Sequence, residues 1–345
     1  MNDKIDFVII WVDGSDPAWQ AEKAKFSNQA DRRTDSRIHR FRDWDNLMYW
    51  FRGVEKFAPW VNKIHFVTWG HLPKWLNTEH PKLSIVKHTD YIPEKYLPTF
   101  SANPIELNLH RIKGLSENFV FFNDDTFIIS PVKEEIFFKN NMPCDSAVLN
   151  VHCCPPPPEY TAVFNIGLIN KYFNMKTVIK ENPSKWFNLK YGKQLLRTFA
   201  LLPCPRFPGM WQHHLPSSLK KTTFEKLWEL EYDELDKTCS NKFRTMFDLN
   251  QYLIREWQLA SGEFYPRRTN VGKNFIICGE RFGSSLILGD IYKTENICRF
   301  IENQKGKMVC INDEEMTDEE FEENKKLIRS AFDKIMPDKS EFELK

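Results

Sequence analysis

The 345-residue chain has no long apolar run: the longest is Phe7–Val12, six residues closed by Asp13. A membrane helix needs about 20 such residues and a signal-peptide core at least about seven. The expectation is therefore a cytoplasmic protein. A dominant charge is also missing, since 48 Lys+Arg stand against 47 Asp+Glu for a net charge of +1. That balance argues against a globally basic nucleic-acid binder. The eight cysteines are scattered without a Cys-x-x-Cys pair, so neither a disulfide framework nor a zinc site is indicated. Cys153 and Cys154 are adjacent, but the four prolines after them indicate a stiff loop. What the chain does have is 41% hydrophobic and 14% aromatic residues, which excludes disorder and supplies a real core.

The first 130 residues alternate strand and helix patterns. Asp6–Val12 is a β-branched and aromatic run of the buried-strand type, stopped by the turn cluster Asp13-Gly14-Ser15-Asp16-Pro17. Asp43–Phe57 has helical spacing through Leu47, Trp50, Phe51 and Val54, and Lys63–Trp69 and Leu83–Lys87 read as strands. Asn103-Pro104-Ile105-Glu106 predicts a helix with an Asn cap, Pro at the first helical position and Glu at the third, running to Gly114–Glu117. Phe119–Phe122 is the fourth strand, ending in Asn123-Asp124-Asp125. Alternation of this kind implies an α/β fold with a Rossmann-like, mostly parallel sheet.

The second half is loop-rich, with prolines at 155–158, 203, 205 and 208. Helices are expected over Thr222–Cys239 and Phe247–Ala260, glycine-interrupted strands over Phe275–Leu288, and a solvated acidic helix within 313–345.

In open α/β sheets, ligands bind beyond the carboxyl ends of the strands. Those ends carry Asp13 and Asp16, His88 and Asp90, and Asp124 with Asp125. Two carboxylates at ~4 Å repel by about 4 kcal/mol at an effective dielectric of 20. A divalent cation removes that cost, and an oxygen-rich site suits Mg²⁺ or Mn²⁺ with a phosphate-bearing ligand. Against this, Asp-Gly and Asn-Asp are also ordinary turn residues. On the predicted helix Glu106, His110 and Lys113 share a flank, whereas Arg111 falls on the opposite one. Glu106 can equally be a capping residue. Further on, His213-His214 and Arg244 offer a proton acceptor near working pH and a planar fork for phosphate oxygens, although a His-His pair is often an accident of the surface or core.

Several of these runs together resemble the Stealth family of sugar-phosphate transferases. Ile5–Asp16 is similar to its first conserved region. Arg40–Asp43, Ala58–Val61, Phe66–Gly70, Leu97–Ser101, Ile105-Glu106, His110-Arg111-Ile112, Gly114–Ser116 and Asn123–Asp125 resemble its second. His214-Leu215-Pro216 with Phe243-Arg244 resembles the third. Cys310-Ile311-Asn312-Asp313 with Pro337, Ser340 and Phe342-Glu343 resembles the fourth. Met48 departs from the basic residue frequent in related sequences.

The resemblance implies a glycosyltransferase-A-type fold in a single catalytic domain. Residues 1–150 would form the nucleotide-sugar half and 151–345 the helical acceptor half. It further implies a UDP-sugar donor at Asp13 and Asp16, and a metal–diphosphate site at Asp125 with Asp124, Asn312 and Asp313. Glu106, Arg111, His214 and Arg244 would be essential polar residues. The acceptor would be a polysaccharide or lipid-linked oligosaccharide, reached at the inner face of a membrane through partners or weak surface contacts. Two alternatives are an ordinary UDP-sugar glycosyltransferase releasing UDP and a non-enzymatic polyanion binder using the arginines of 32–42.

Overall fold

The computed structural model describes residues 3–26, 43–153, 160–279, 293–314 and 316–345. Strand β1 (Ile5–Trp11) lies at the centre, and its alternating side chains divide the core in two. Phe7 and Ile9 face an aromatic cluster that includes Trp50, Phe51, Phe66 and Phe122. Val8 faces the other layer, with Val67, Phe119 and Phe121. A strand buried on both faces has to read as a continuous apolar run, as this one does.

Helix α1 (Pro17–Phe26) follows β1, and α2 (Leu47–Phe57) lies on the aromatic face. Next come β2 (Ile64–Thr68), β3 (Leu83–Lys87) and the short helices α3 (His88–Tyr91) and α4 (Ala102–Leu107). Then follow β4 (Asn118–Phe122), β5 (Thr126–Ile128), β6 (Phe138–Lys139) and β7 (Met142–Asp145). Helices over 161–201 lead to β8 (Ser217–Lys220), and helices over 221–260 to β9 (Tyr265–Pro266) and β10 (Gly272–Ile277). Helix Thr294–Glu302, strand β11 (Met308–Asp313) and helix Asp318–Ile335 complete the described elements.

The main sheet has the order β3-β2-β1-β4-β8. Its first four strands are parallel, as expected for a mostly parallel α/β sheet. Unforeseen is β8, which runs antiparallel to β4 and closes that edge. The Gln258 side chain covers it, accepting from Lys220 N (2.9 Å) and donating to Ser218 O (3.0 Å). A strand from residues 217–220 therefore belongs to the sheet of the first half.

Several expectations change in detail: the helix expected over Phe247–Ala260 spans Tyr252–Ala260, and of the strands expected over Phe275–Leu288 the start lies in β10 while residues 280–288 lie outside the described residues. The helix expected behind an Asn103 cap starts two residues earlier, because Ser101 is its cap, its side chain accepting from Asn103 N. It stops at Leu107 and becomes a 3₁₀ turn over Leu109–Arg111, where the Asn108 side chain ties back to Pro104 O (2.8 Å). The span 222–239 splits into Lys221–Leu230 and Tyr232–Ser240 at Glu231. The terminal helix is capped by Thr317 and Glu320 and is not merely solvated: Phe332 packs against Tyr49 (5.2 Å) and Phe127 (4.8 Å). Beyond it Glu343 takes a buried, two-pronged bond from Arg52 (2.7 and 2.8 Å).

A second sheet, β10-β11-β5, brings the C-terminal segment to the site. β11 pairs antiparallel with β5, so Cys310 lies opposite Thr126, the residue after Asp125. The seven described cysteines are free thiols. Among the described residues, no helix is long and apolar enough to cross a membrane.

Candidate active site

The carboxyl ends of β1 and β2 meet first. Asp13 Oδ1 accepts from the backbone and hydroxyl of Ser15 (2.8 and 2.6 Å), and Asp16 Oδ1 caps α1 by accepting from Trp19 N (2.7 Å). Both aspartates therefore do ordinary turn work, and each has a second carboxylate oxygen beyond it. His71, just after β2, joins them: its Nε2 accepts from Asp13 N (2.7 Å), and its Nδ1 lies 3.9 Å from Asp16 Oδ2. Burial pushes the His71 imidazole down, with Asp16 and Asp13 pulling the other way. A neutral ring is what accepting the Asp13 amide requires.

Beyond β4 the carboxylates accumulate. Asp125 is pushed up to about 7, by burial first and then by Asp124, with Asp313 adding to it and a Cys310 hydrogen bond opposing. Asp124 is pushed up to about 6 by lost hydration, then by Asp43 and Asp313. Its side chain still meets solvent. Asp43 is raised by burial and by Asp45 and Asp13, so it links the β1 end to the β4 end. Like charges drawn together this closely oppose ionisation and invite a cation.

The donor set fits a hard divalent ion. Among the described residues Asp125 Oδ1 is buried without a hydrogen-bond partner, and its Oδ2 accepts from the Cys310 thiol at 3.5 Å. Asp124 and Asp313 are within charge range of it. Asn312 sits one step away, its amide donating to Asn274 Oδ1 (3.1 Å) and Cys310 Sγ (3.4 Å). Oxygen donors around an orphaned carboxylate are the ligand type that Mg²⁺ and Mn²⁺ prefer. Glu55, His80 and Glu341 form a separate group with ligand atoms within 4.8 Å of one another. It shares no residue with the cleft, and there Glu55 receives the Glu341 amide at 2.8 Å.

The opposite wall comes from the second half. Tyr252 is its hub: buried, raised well above the usual phenol range by that burial, and close enough to feel the charges of Glu106 and Asp125. The His214 ring packs edge-on against it at 5.9 Å. His214 has φ +47°, a left-handed backbone that histidine tolerates better than most residues. The turn explains the His-His pair. His213 is buried, 3.4 Å from Asp145, and its Nδ1 accepts from Leu215 N (3.1 Å), so the chain pivots and leaves His214 exposed. Glu106 is buried and raised by that burial, opposed by Arg244 and by the Gln251 amide, which donates to it at 3.3 Å. It works as no capping box; it faces Arg244.

An aromatic cluster sets Arg244 and Asp16 in place. Phe243 stacks on Phe100 (5.4 Å), and Trp19 of α1 meets Phe100 at 5.8 Å. Phe100 N also donates to Lys242 O (2.8 Å). The residue after Phe243, the turn before α4 and the helix capped by Asp16 are thereby fastened to one another.

Other candidates go elsewhere. Arg111 is exposed, stacked over Trp228 (4.9 Å) with its Nε on Asn108 (2.9 Å). His110 is buried beside Phe224 (5.6 Å) and pushed down to about 3 by that burial. The flank expected to align Glu106, His110 and Lys113 does not exist, because the helix ends at Leu107. His88 is buried and likewise pushed down to about 3, and Asp90 closes the start of α3 by accepting from Lys87 N (2.7 Å). The arginines of 32–42 and the prolines 155–158 lie outside the described residues. Sequence reasoning missed Asp43, His71, Tyr252 and Cys310 as site members. Only Cys310 stood in a quoted motif next to assigned residues.

Residues 3–31 match the model of Stealth conserved region 1, and residues 40–145 that of conserved region 2. A capsular polysaccharide phosphotransferase WcwK of Streptococcus pneumoniae is 44% identical over 99% of both chains. The chain belongs to the Stealth family. It is accordingly a transferase enzyme. Another Stealth relative, the exopolysaccharide phosphotransferase cps2G of Lactiplantibacillus plantarum, is 38% identical over 98% of this chain and 96% of its own. Among solved structures, an active-site mutant of LgtC aligns over 94% of this chain and 95% of its own, at 7% identity and a TM-score of 0.37.

Proposed function

We propose that the enzyme transfers a sugar-1-phosphate from a UDP-sugar to a hydroxyl of a capsular or exopolysaccharide acceptor, releasing UMP. One observation supports this reading: an Asp125 oxygen with no partner among the described residues lies among like-charged carboxylates, and Tyr252 links it to Glu106 and to His214. A bound Mg²⁺ or Mn²⁺, held by Asp125 with Asp124 and Asp313, would neutralise those carboxylates and the donor diphosphate.

The chain's own groups then have separate tasks. Asp13 and Asp16, fixed by their turn and by His71, hold the nucleotide end. Arg244, paired across from Glu106, meets the negative oxygens of the transferred phosphoryl group. His214 takes the proton of the acceptor hydroxyl. The acceptor oxygen forms a bond to the sugar-bearing phosphorus while the bond from that phosphorus to the bridging oxygen breaks. UMP departs with that electron pair, and the sugar's anomeric configuration is untouched. Such a transfer depends on alignment and charge stabilisation more than on covalent help. The reading places the enzyme in the cytoplasm, at the inner face of the membrane where lipid-linked acceptors are assembled.

The test is product analysis. Purified protein is incubated with a panel of UDP-sugars, a saccharide acceptor and Mg²⁺ or Mn²⁺, and the nucleotides are resolved. UMP formed in step with a phosphodiester product is the expected result. UDP instead would assign an ordinary glycosyltransferase, and neither product with any pair would favour a non-catalytic binder.

A further inference from the structure

A cavity of about 840 Å³ lies between residues 189–194, the loop 211–215 and strand β10, within the size range of ligand sites. Among the described residues its lining includes four cations, Lys190, Lys193, Arg268 and Lys273, and no carboxylate. In a chain whose charges nearly cancel, such one-sidedness is a local feature. The Lys190 ammonium is held by neutral groups, the Pro266 carbonyl (3.0 Å) and the Tyr265 ring (4.8 Å), which leave its charge in force. Arg268 and Lys193 are exposed. Trp211 adds a half-buried indole of the kind that stacks on a sugar ring.

The cavity lining is tied to the cleft by hydrogen bonds and by the chain itself. Asn274 in its lining accepts from Asn312, which in turn bonds the Cys310 sulfur beside Asp125. Leu215, also in its lining, directly follows His214. Asp13, Asp16, Asp125 and His214 do not line it, but His213 and Leu215, on either side of His214, do. The cavity thus borders the loop that carries the proposed base, the side from which an acceptor would approach.

We infer that this cavity binds the acceptor, and that it selects a saccharide bearing phosphate. The inference rests on the proposed function and names its acceptor class. The chemistry is consistent with itself: the product of sugar-1-phosphate transfer carries a phosphodiester, so a chain already extended is anionic. The recognised phosphate could be that phosphodiester or the pyrophosphate of a lipid-linked saccharide, and both present the same oxygens to Lys and Arg.

The test measures binding to the full chain in EDTA, so that a cation-dependent diphosphate site does not contribute. Three probes are titrated by Trp fluorescence and calorimetry: a disaccharide joined through a phosphodiester, the same sugars joined without phosphate, and a short-chain polyprenyl-pyrophosphate disaccharide. Either anionic probe is expected to bind at least 10-fold tighter than the neutral one, and to weaken steeply with salt; which of the two is tighter identifies the source. Arg268→Gln with Lys193→Gln, both at exposed positions, should weaken the anionic probe about 10-fold while the melting temperature holds. Trp211→Phe should weaken all saccharide probes. Equal affinity for the neutral and anionic probes, or unchanged affinity in the double variant, would overturn the inference. Anionic binding without UMP formation would leave the cavity standing and sink the proposed reaction; UMP formation with no preference for phosphate would do the reverse.

Discussion

Asp145 and Asp125 are both aspartates removed from bulk water, and the protein treats them in opposite ways. Burial alone would raise Asp145, yet Arg255 grips it with two bonds (2.6 and 2.9 Å), His213 is 3.4 Å away and Arg267 3.9 Å. Its proton affinity is held far below the carboxylate range. Asp125 has a thiol and like charges instead, and is raised to about 7. In the first region opposite charges compensate the carboxylate, while Arg255 Nη1 and Arg267 Nε stay buried without a hydrogen-bond partner among the described residues. The second is a pocket of uncompensated charge, stable enough to persist only because the fold around it is fixed, and such incompleteness is the physical signature of a site.

The largest effect expected from breaking this contrast is at Asp145. Asp145→Asn strands the buried guanidiniums of Arg255 and Arg267 and should cost about 3–5 kcal/mol of stability, read by urea unfolding. Its wild-type contribution is present above the ordinary aspartate pKa and lost as pH falls, so the penalty should shrink in acid. A pH-independent penalty would show that packing rather than charge dominates there.

Next is His214→Ala, expected to lower turnover about 10²- to 10⁴-fold with donor affinity nearly unchanged. Near-normal turnover would remove His214 as the base. The third sharpens the comparison by reversing its sign. Asp125 binds its proton more tightly folded than unfolded, so it lends stability at low pH that disappears as pH rises through about 7. Asp125→Asn should therefore stabilise the metal-free protein by on the order of 2 kcal/mol at pH 8 and by almost nothing below pH 4. Unfolding curves across that range decide it, and added Mg²⁺ or Mn²⁺ should raise the melting point of the wild type only. The smallest effect is at Arg111: Arg111→Ala should cost ~0.5–1 kcal/mol through its contact with Trp228.

Much of this was legible in the chain. β3 lies where the apolar run Leu83–Lys87 put it, and β1, β2 and β4 within a residue at each end, because strands buried on both faces leave little freedom in sequence. The helix at Asn103 was harder: its cap signal was real, but Ser101 outcompeted it and Asn108 ended it early. The charge cluster at Asp43, Asp124, Asp125 and Asp313 was half legible. Strand-end position pointed to Asp124 and Asp125, and resemblance to Asp313, while Asp43 stood at the start of a helical pattern and in a matching run but carried no assigned role. Nothing local marks Tyr252, whose role comes from what surrounds it.

The sequence by itself determined the parallel sheet, the carboxylates at its strand ends and the family, since each depends on short runs whose meaning is local. Tertiary structure decided which of two adjacent histidines is buried against Asp145 and which faces solvent. It also decided that β11, some 185 residues downstream, delivers Cys310 to Asp125, and that four cations share one cavity without an acid among its described lining residues. Those outcomes are set by sheet pairing between distant strands and by the crowding of charge in space, which spacing along a chain does not encode.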